Sequence, residues 1–230
     1  MPISDLFWVT LLAVAAGLDR TAAMQVMLAR PIVAAPLAGL ILGAPQSGLL
    51  VGSVVELLWL GRLPVGAAIP PDDTQVAIGG TTLSVVMGQA LGLHGPGFVL
   101  LCVLVALPIG KIGQVSDRLV RHWNDRLVPA AETALAAGRL GRIETLHLQG
   151  LGHFALASLT TFGAIVGGGS LALLLLAPVF APWFSVAAIP LQLALPLVGV
   201  AVLLGTVNVN RSWTLFGAAF GSSLLVLWLV

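Results

Sequence analysis

Apolar runs broken by Gly, Pro and isolated charges divide the chain into eight segments: 4–18, 31–44, 46–61, 74–93, 95–110, 154–177, 182–206 and 213–230. Each run is long enough for a helix, but several are too short to cross a bilayer. At 1.5 Å per residue, 46–61 reaches about 24 Å and 31–44 about 21 Å, against a hydrocarbon core of roughly 30 Å. Short segments interrupted by Gly and Pro are the sequence trace of broken or re-entrant helices, whose free backbone groups must be enclosed by protein or line a cavity. The pattern predicts an all-α, polytopic integral membrane protein with a single domain over 1–230. It should have about six true spans, short half-spanning or re-entrant helices, and one amphipathic cytoplasmic segment.

That amphipathic segment is 111–146. It contains Lys111, Arg118, Arg121, Arg126, Arg139 and Arg142 together with Asp117, Asp125, Glu132 and Glu144. Val115, Leu119, Trp123, Leu127 and Ala131 recur every four residues and draw one apolar stripe along a helix. By the positive-inside rule this basic segment lies at the cytoplasmic membrane surface. Trp8, Trp59, Trp183, Trp213 and Trp228 fall near segment ends, as interfacial anchors do. Glycines four apart, at Gly39/Gly43, Gly48/Gly52, Gly163/Gly167 and Gly217/Gly221, predict close helix packing.

Composition agrees with the pattern. The chain is 58% hydrophobic and 8% charged, with mean hydropathy +1.06, where a soluble domain carries about 25% charged residues. A net charge of +1 gives no reason to expect a nucleic-acid partner. The lone Cys102 can form no internal disulfide, and no metal-ligand spacing, cofactor motif or catalytic constellation is present. No Lys or Arg precedes the first apolar run, so that run reads as a retained helix rather than a signal peptide.

Two carboxylates carry the functional signal. Glu56 stands in the apolar run GSVVELLWLG, and Asp72 follows two prolines in GRLPVGAAIPPDDT. Ionisable groups at membrane depth are expensive, and by default they mark a site that handles something polar. Glu56 is either a hydrogen-bond acceptor in a polar cavity or the buried partner of Arg30 or Arg62. Asp72 and Asp73 lie on backbone held extended by Pro70 and Pro71, either beside the helix of Glu56 or on an aqueous rim. Facing carboxylates suit a polyhydroxylated neutral ligand, whose hydroxyls each donate to them, and they suit a cation equally well. Gln114 adds an amide that both donates and accepts. His147, His153, Asn208 and Asn210 are weaker candidates.

These residues also carry a family resemblance. RPIVAAPLAGLILG (30–43), GLLVG (48–52), Glu56, LG (60–61), GAAIPPD (66–72) and PIGKIGQV (108–115) resemble the IIC subunit of the mannose/fructose/sorbose family of bacterial sugar phosphotransferase permeases. The likeness is dense over 30–82 and thins after about 150. It implies a multi-pass transport subunit of the bacterial inner membrane that is not an enzyme on its own. Such a subunit binds and translocates a hexose-type sugar, which a IIB phosphohistidine phosphorylates during uptake. The implied partners are a IID membrane subunit and cytoplasmic IIA and IIB phosphocarriers, within an oligomer. Position by position, Glu56, Asp72 and Gln114 match the family's sugar-site positions. Asp73 adjoins them, Gln25 lies near the family's upstream Gln, and His147 lies near its histidine after the charged connector. Pro64 stands where the family has Asn, and Ala29 where it has His, so the hydrogen-bond set for the sugar differs. From other classes, a cation-coupled secondary transporter using Glu56 and Asp72, or a non-transporting membrane receptor or scaffold, fits the same residues.

Overall fold

A computed structural model describes residues 3–60, 69–183, 197, 199–202, 205 and 212–229. The predicted segment 182–206 lies mostly outside the described residues, and Pro64, Asn208 and Asn210 lie wholly outside them. The described residues form α1 (Ile3–Thr21), α2 (Pro31–Ile41), α3 (Pro45–Trp59), α4 (Asp73–Leu91), α5 (Pro96–Ile109), α6 (Lys111–Asp125), α7 (Leu127–Ala136), α8 (Leu140–Phe180), a 3-10 turn (Ala181–Trp183) and α9 (Ser212–Leu229). The predicted all-α class holds.

Local chemistry sets the ends of these elements. Pro31, Pro45 and Pro96 stand in the first turns of α2, α3 and α5, where the missing N–H has no helical partner to lose. Gly92 closes α4 in the left-handed conformation, φ +66°. At about 17 Å and 23 Å, α2 and α3 are a half-spanning pair. They fold into a hairpin whose helices nearly touch. A Cβ on Gly39 would stand 3.1 Å from the Gly48 Cα, and one on Gly52 would stand 2.7 Å from the Pro31 carbonyl oxygen. The obstacle to a Cβ on Gly48 is also backbone, the Ala35 carbonyl, which cannot rotate away. Gly48→Ala is therefore expected to destabilise the folded chain by about 1–3 kcal/mol through overpacking, read as a lowered midpoint of thermal unfolding in detergent. Among the described residues, nothing lies within 4 Å of where a Cβ would stand on Gly163, Gly167, Gly217 or Gly221.

The core gathers around α4, which touches α1, α2, α3, α5 and α8 and is buried without interruption from Thr74 to Val85. A helix buried on every side must satisfy its own polar groups. Thr81, Thr82 and Ser84 do so by donating to the Ala77, Ile78 and Thr81 carbonyls at 2.8–2.9 Å. The small residues of α4 admit α8 closely: Ile165 packs on Gly79, and Leu83 of α4 packs on Gly169 of α8.

The basic connector has more order than one amphipathic segment. It comprises α6, α7 and the first turns of α8, which begins at Leu140 rather than near residue 154. With 41 residues, α8 is about 62 Å long, so its charged N-terminal turns extend well beyond a 30 Å hydrocarbon slab. Among the described residues, two helical stretches are long and apolar enough to cross a membrane alone, 96–136 and Leu140–Phe180.

Candidate functional site

One end of the bundle is built from broken backbone. Here the C-terminus of α1, the N-termini of α2, α4 and α6, and the stretch 69–72 meet. Pro70 and Pro71 have no N–H, so this stretch presents mainly acceptors and must be met by donors from elsewhere. Gln114, in the first turn of α6, donates its amide to the Ile69 carbonyl at 2.5 Å. Arg20, at the end of α1, donates to the Pro71 carbonyl at 3.1 Å. The Asp72 N–H donates to the Gly110 carbonyl at 3.2 Å, which fixes α4 to the α5–α6 junction.

Arg20 also organises the carboxylates. Its Nη1 lies 3.1 Å from Asp72 Oδ1 and its Nη2 lies 3.4 Å from Asp73 Oδ1, with all three side chains mostly buried. The same Asp72 oxygen caps α4 by accepting from the Gln75 N–H at 3.0 Å. The second oxygen, Oδ2, takes no hydrogen bond among the described residues. It lies against Gly113, whose missing side chain lets α6 pack closely on Asp72: a Cβ there would stand 2.5 Å from the Asp72 Cβ and 3.3 Å from Oδ2. Below it a cavity of about 20 Å³ is lined by Gly17, Arg20, Asp72, Gly113, Asp117 and Thr161 among others. That is room for one water, not for a sugar ring.

Glu56 occupies a second helix N-terminus. Its side chain is 14% exposed and pairs with Arg30, and its Oε2 accepts from the Ile32 N–H at 3.3 Å. Arg30 itself makes no side-chain cap on α2, so Glu56 supplies that cap from α3 and complements the positive end of the helix dipole. Of the two readings open at sequence level, the ion pair with Arg30 is therefore present in this arrangement.

The loop from Ala22 to Arg30 lies between the two carboxylate groups. Met24, Gln25 and Met27 all have positive φ, at 65°, 54° and 67°, although none is glycine. Such backbone persists only where the surroundings hold it. The hold is Asp19, whose carboxylate accepts from the Val26 N–H at 2.6 Å and the Ala29 N–H at 3.0 Å. Thr74 of α4 also donates to the Ala29 carbonyl at 2.7 Å. Gln25 is exposed on this loop, close in sequence to the Asp19 clamp.

Asp72, Asp73 and Gln114 are thus brought together, while Gln25 stands on the Ala22–Arg30 loop and Glu56 pairs with Arg30 at its far end. His147 stands exposed on α8, and no hydrogen bond or ion pair ties it to the cluster among the described residues. His153 instead joins α8 to α6 through Asn124, Nδ1 to Oδ1 at 2.6 Å. Sequence reasoning missed Arg20 and Asp19. A signal existed, because the first 110 residues contain only Arg20, Arg30 and Arg62 as cations to serve Glu56, Asp72 and Asp73. Among the described residues, no group of three or more His, Cys, Asp or Glu could hold a metal ion.

A half-spanning hairpin, with the N-termini of α2 and α4 each met by a mostly buried carboxylate inside an apolar helical bundle, is the kind of broken-helix arrangement found in helical membrane transport proteins. The chain belongs to the family of sorbose-specific IIC components of the PTS system, which it matches over residues 3–226. It is 32% identical over 123 residues to the PTS system sorbose-specific EIIC component of Klebsiella pneumoniae, covering 54% of this chain and 43% of that one. It is 29% identical over 122 residues to the mannose-specific EIIC component of Escherichia coli K12, covering 53% and 43%. The fructose permease IIC component of Bacillus subtilis is also 29% identical over 122 residues, with 53% and 42% covered. The matched stretch therefore spans less than half the length of these relatives. In fold, the chain is similar to a solved membrane protein with TM-score 0.66 at 22% identity, covering 97% of this chain and 87% of that one. It is likewise similar to a chain from the cryo-EM structure of the mannose transporter ManYZ bound to a microcin, with TM-score 0.59 at 24% identity and the same coverages.

Proposed function

We propose that this chain is the IIC-type transport subunit of a sugar phosphotransferase permease in the bacterial inner membrane. It binds a hexose-type sugar and passes it inward to be phosphorylated by a IIB carrier. The observation that carries the reading is the anchored Pro-Pro-Asp turn. Arg20, Gln114 and Gly110 hold 69–72 against the N-terminus of α4, and Asp72 Oδ2 takes no hydrogen bond among the described residues. A free carboxylate oxygen on fixed, irregular backbone is a directed acceptor for a sugar hydroxyl. Glu56, Asp73 and Gln25 surround the same end of the bundle and complete the set. Because the cavity beside Asp72 has room for only a water in this arrangement, sugar entry requires its walls, α1, α6 and α8, to move apart.

The proposal includes a IID membrane partner. α2 and α3 are half-length, and unpaired backbone groups cost several kcal/mol each in hydrocarbon, so protein must surround them. Co-expressed with a IID-type subunit, the chain is expected to elute in detergent as one stable oligomeric complex, and without it to aggregate. A monodisperse, sugar-binding preparation of this chain alone overturns the two-subunit reading.

A further inference from the structure

The exposed face of α6 is not the face a soluble amphipathic helix shows to water. Ile112, Val115 and Leu119, at i, i+3 and i+7, are 43%, 65% and 46% exposed. The side turned inward is partly polar, with Gly113, Asp117 and Val120 buried. Basic side chains lie alongside the outward apolar stripe: Lys111, Arg118, His122 and Arg126 are all exposed. The acids are unequally placed. Asp117 is turned inward to pair with Arg121 at 2.8 Å, which leaves Asp125 as the acid on the outer face of α6. The helix begins one residue after α5, an apolar and largely buried helix.

An outward apolar stripe bordered by cations matches a boundary that is apolar on one side and anionic on the other. Water leaves the stripe uncovered, and a neutral apolar surface leaves the cations unpaired. We propose that α6 is an anionic-phospholipid binding helix. Ile112, Val115 and Leu119 lie against acyl chains, while Lys111, Arg118 and Arg126 engage the phosphates of the cytoplasmic leaflet. A docked cytoplasmic carrier protein is the competing occupant. A lipid is favoured because the apolar stripe follows directly on the apolar helix α5 and is bordered by cations along its length.

The test places an environment-sensitive bimane label at Val115→Cys, in a Cys102→Ala background, in the full chain reconstituted with its membrane partner. Brominated phosphatidylglycerol and brominated phosphatidylcholine are compared as quenchers at equal mole fraction. Phosphatidylglycerol is expected to quench several-fold more strongly. That preference should fall close to equality in Lys111→Gln and in Arg118→Gln, since each cation is worth about 1 kcal/mol, roughly fivefold, at an anionic surface, shrink in high salt, and survive Arg118→Lys. Equal quenching by both lipids overturns the headgroup assignment. Absence of quenching by either, with the label shifting only when cytoplasmic carrier proteins are added, assigns the face to a protein and overturns the proposal.

Discussion

Arg20→Met is expected to destabilise the chain by about 3–5 kcal/mol and to abolish transport. The guanidinium is the counter-ion of two mostly buried carboxylates, Asp72 and Asp73, and it also donates to the Pro71 carbonyl. Removing one partner of a buried ion group leaves the remaining charges uncompensated, which is the expensive case. Neutralising the whole group is a different experiment. Arg20→Met combined with Asp72→Asn and Asp73→Asn leaves no unpaired charge, and Asn retains the cap on the Gln75 N–H. The triple variant is expected to recover most of the stability and none of the sugar binding. Thermal unfolding in detergent and sugar binding, measured on both variants, separate the two roles of the cluster. If Arg20→Met unfolds at the wild-type temperature, the triad does not hold the site together.

Glu56→Gln separates binding from folding at the second carboxylate. The amide can still accept from the Ile32 N–H, and Arg30, whose side chain is 45% exposed, can turn to water. Folding and membrane insertion should therefore persist. Sugar binding should weaken by about 1.5–3 kcal/mol, the worth of one charge-assisted hydrogen bond, or roughly ten- to a hundredfold in affinity. Calorimetric titration of the purified complex with candidate hexoses reads this directly. Unchanged affinity would show that Glu56 acts only as the cap of α2 and the partner of Arg30.

The helices were legible in the sequence wherever an apolar run ended on a residue with one local conformational meaning. Pro31, Pro45 and Pro96 open α2, α3 and α5, and Gly92 closes α4, all near the predicted boundaries. The start of α8 was not legible, because hydropathy reports where a helix enters lipid and not where it begins. Its first turns carry Arg142 and Glu144 and remain helical outside the apolar run. Glycine spacing predicted close helix packing, which Gly39, Gly48 and Gly52 meet in the α2–α3 hairpin, yet Gly43, Gly163/Gly167 and Gly217/Gly221 face open space among the described residues. Four-residue spacing places two glycines on one face and cannot say whether anything lies opposite.

At the site, the carboxylates were legible because charge in an apolar run is rare, while their partners depend on tertiary placement. Arg20 reaches Asp72 and Asp73 from about fifty residues away in sequence. The Asp19 clamp was less legible still. It exists to hold Met24, Gln25 and Met27 at positive φ, and none of these residue types announces that conformation. Asp72 was read as a ligand acceptor on extended chain. It also proves to be the N-cap of α4, a role that the sequence Asp72-Asp73-Thr74-Gln75 permits without requiring.

The most direct test of the transport reading is uptake of radiolabelled hexoses into cells that lack their own phosphotransferase permeases. The chain is expressed with a IID-type subunit and IIA and IIB carriers, as wild type and as Asp72→Asn. Intracellular label is expected to accumulate as the sugar phosphate, only when the full set is present, and to be lost in Asp72→Asn. Accumulation of unmodified sugar without the carriers, collapsing when the ion gradient is dissipated, would contradict the account and identify an ion-coupled transporter built on the same carboxylates.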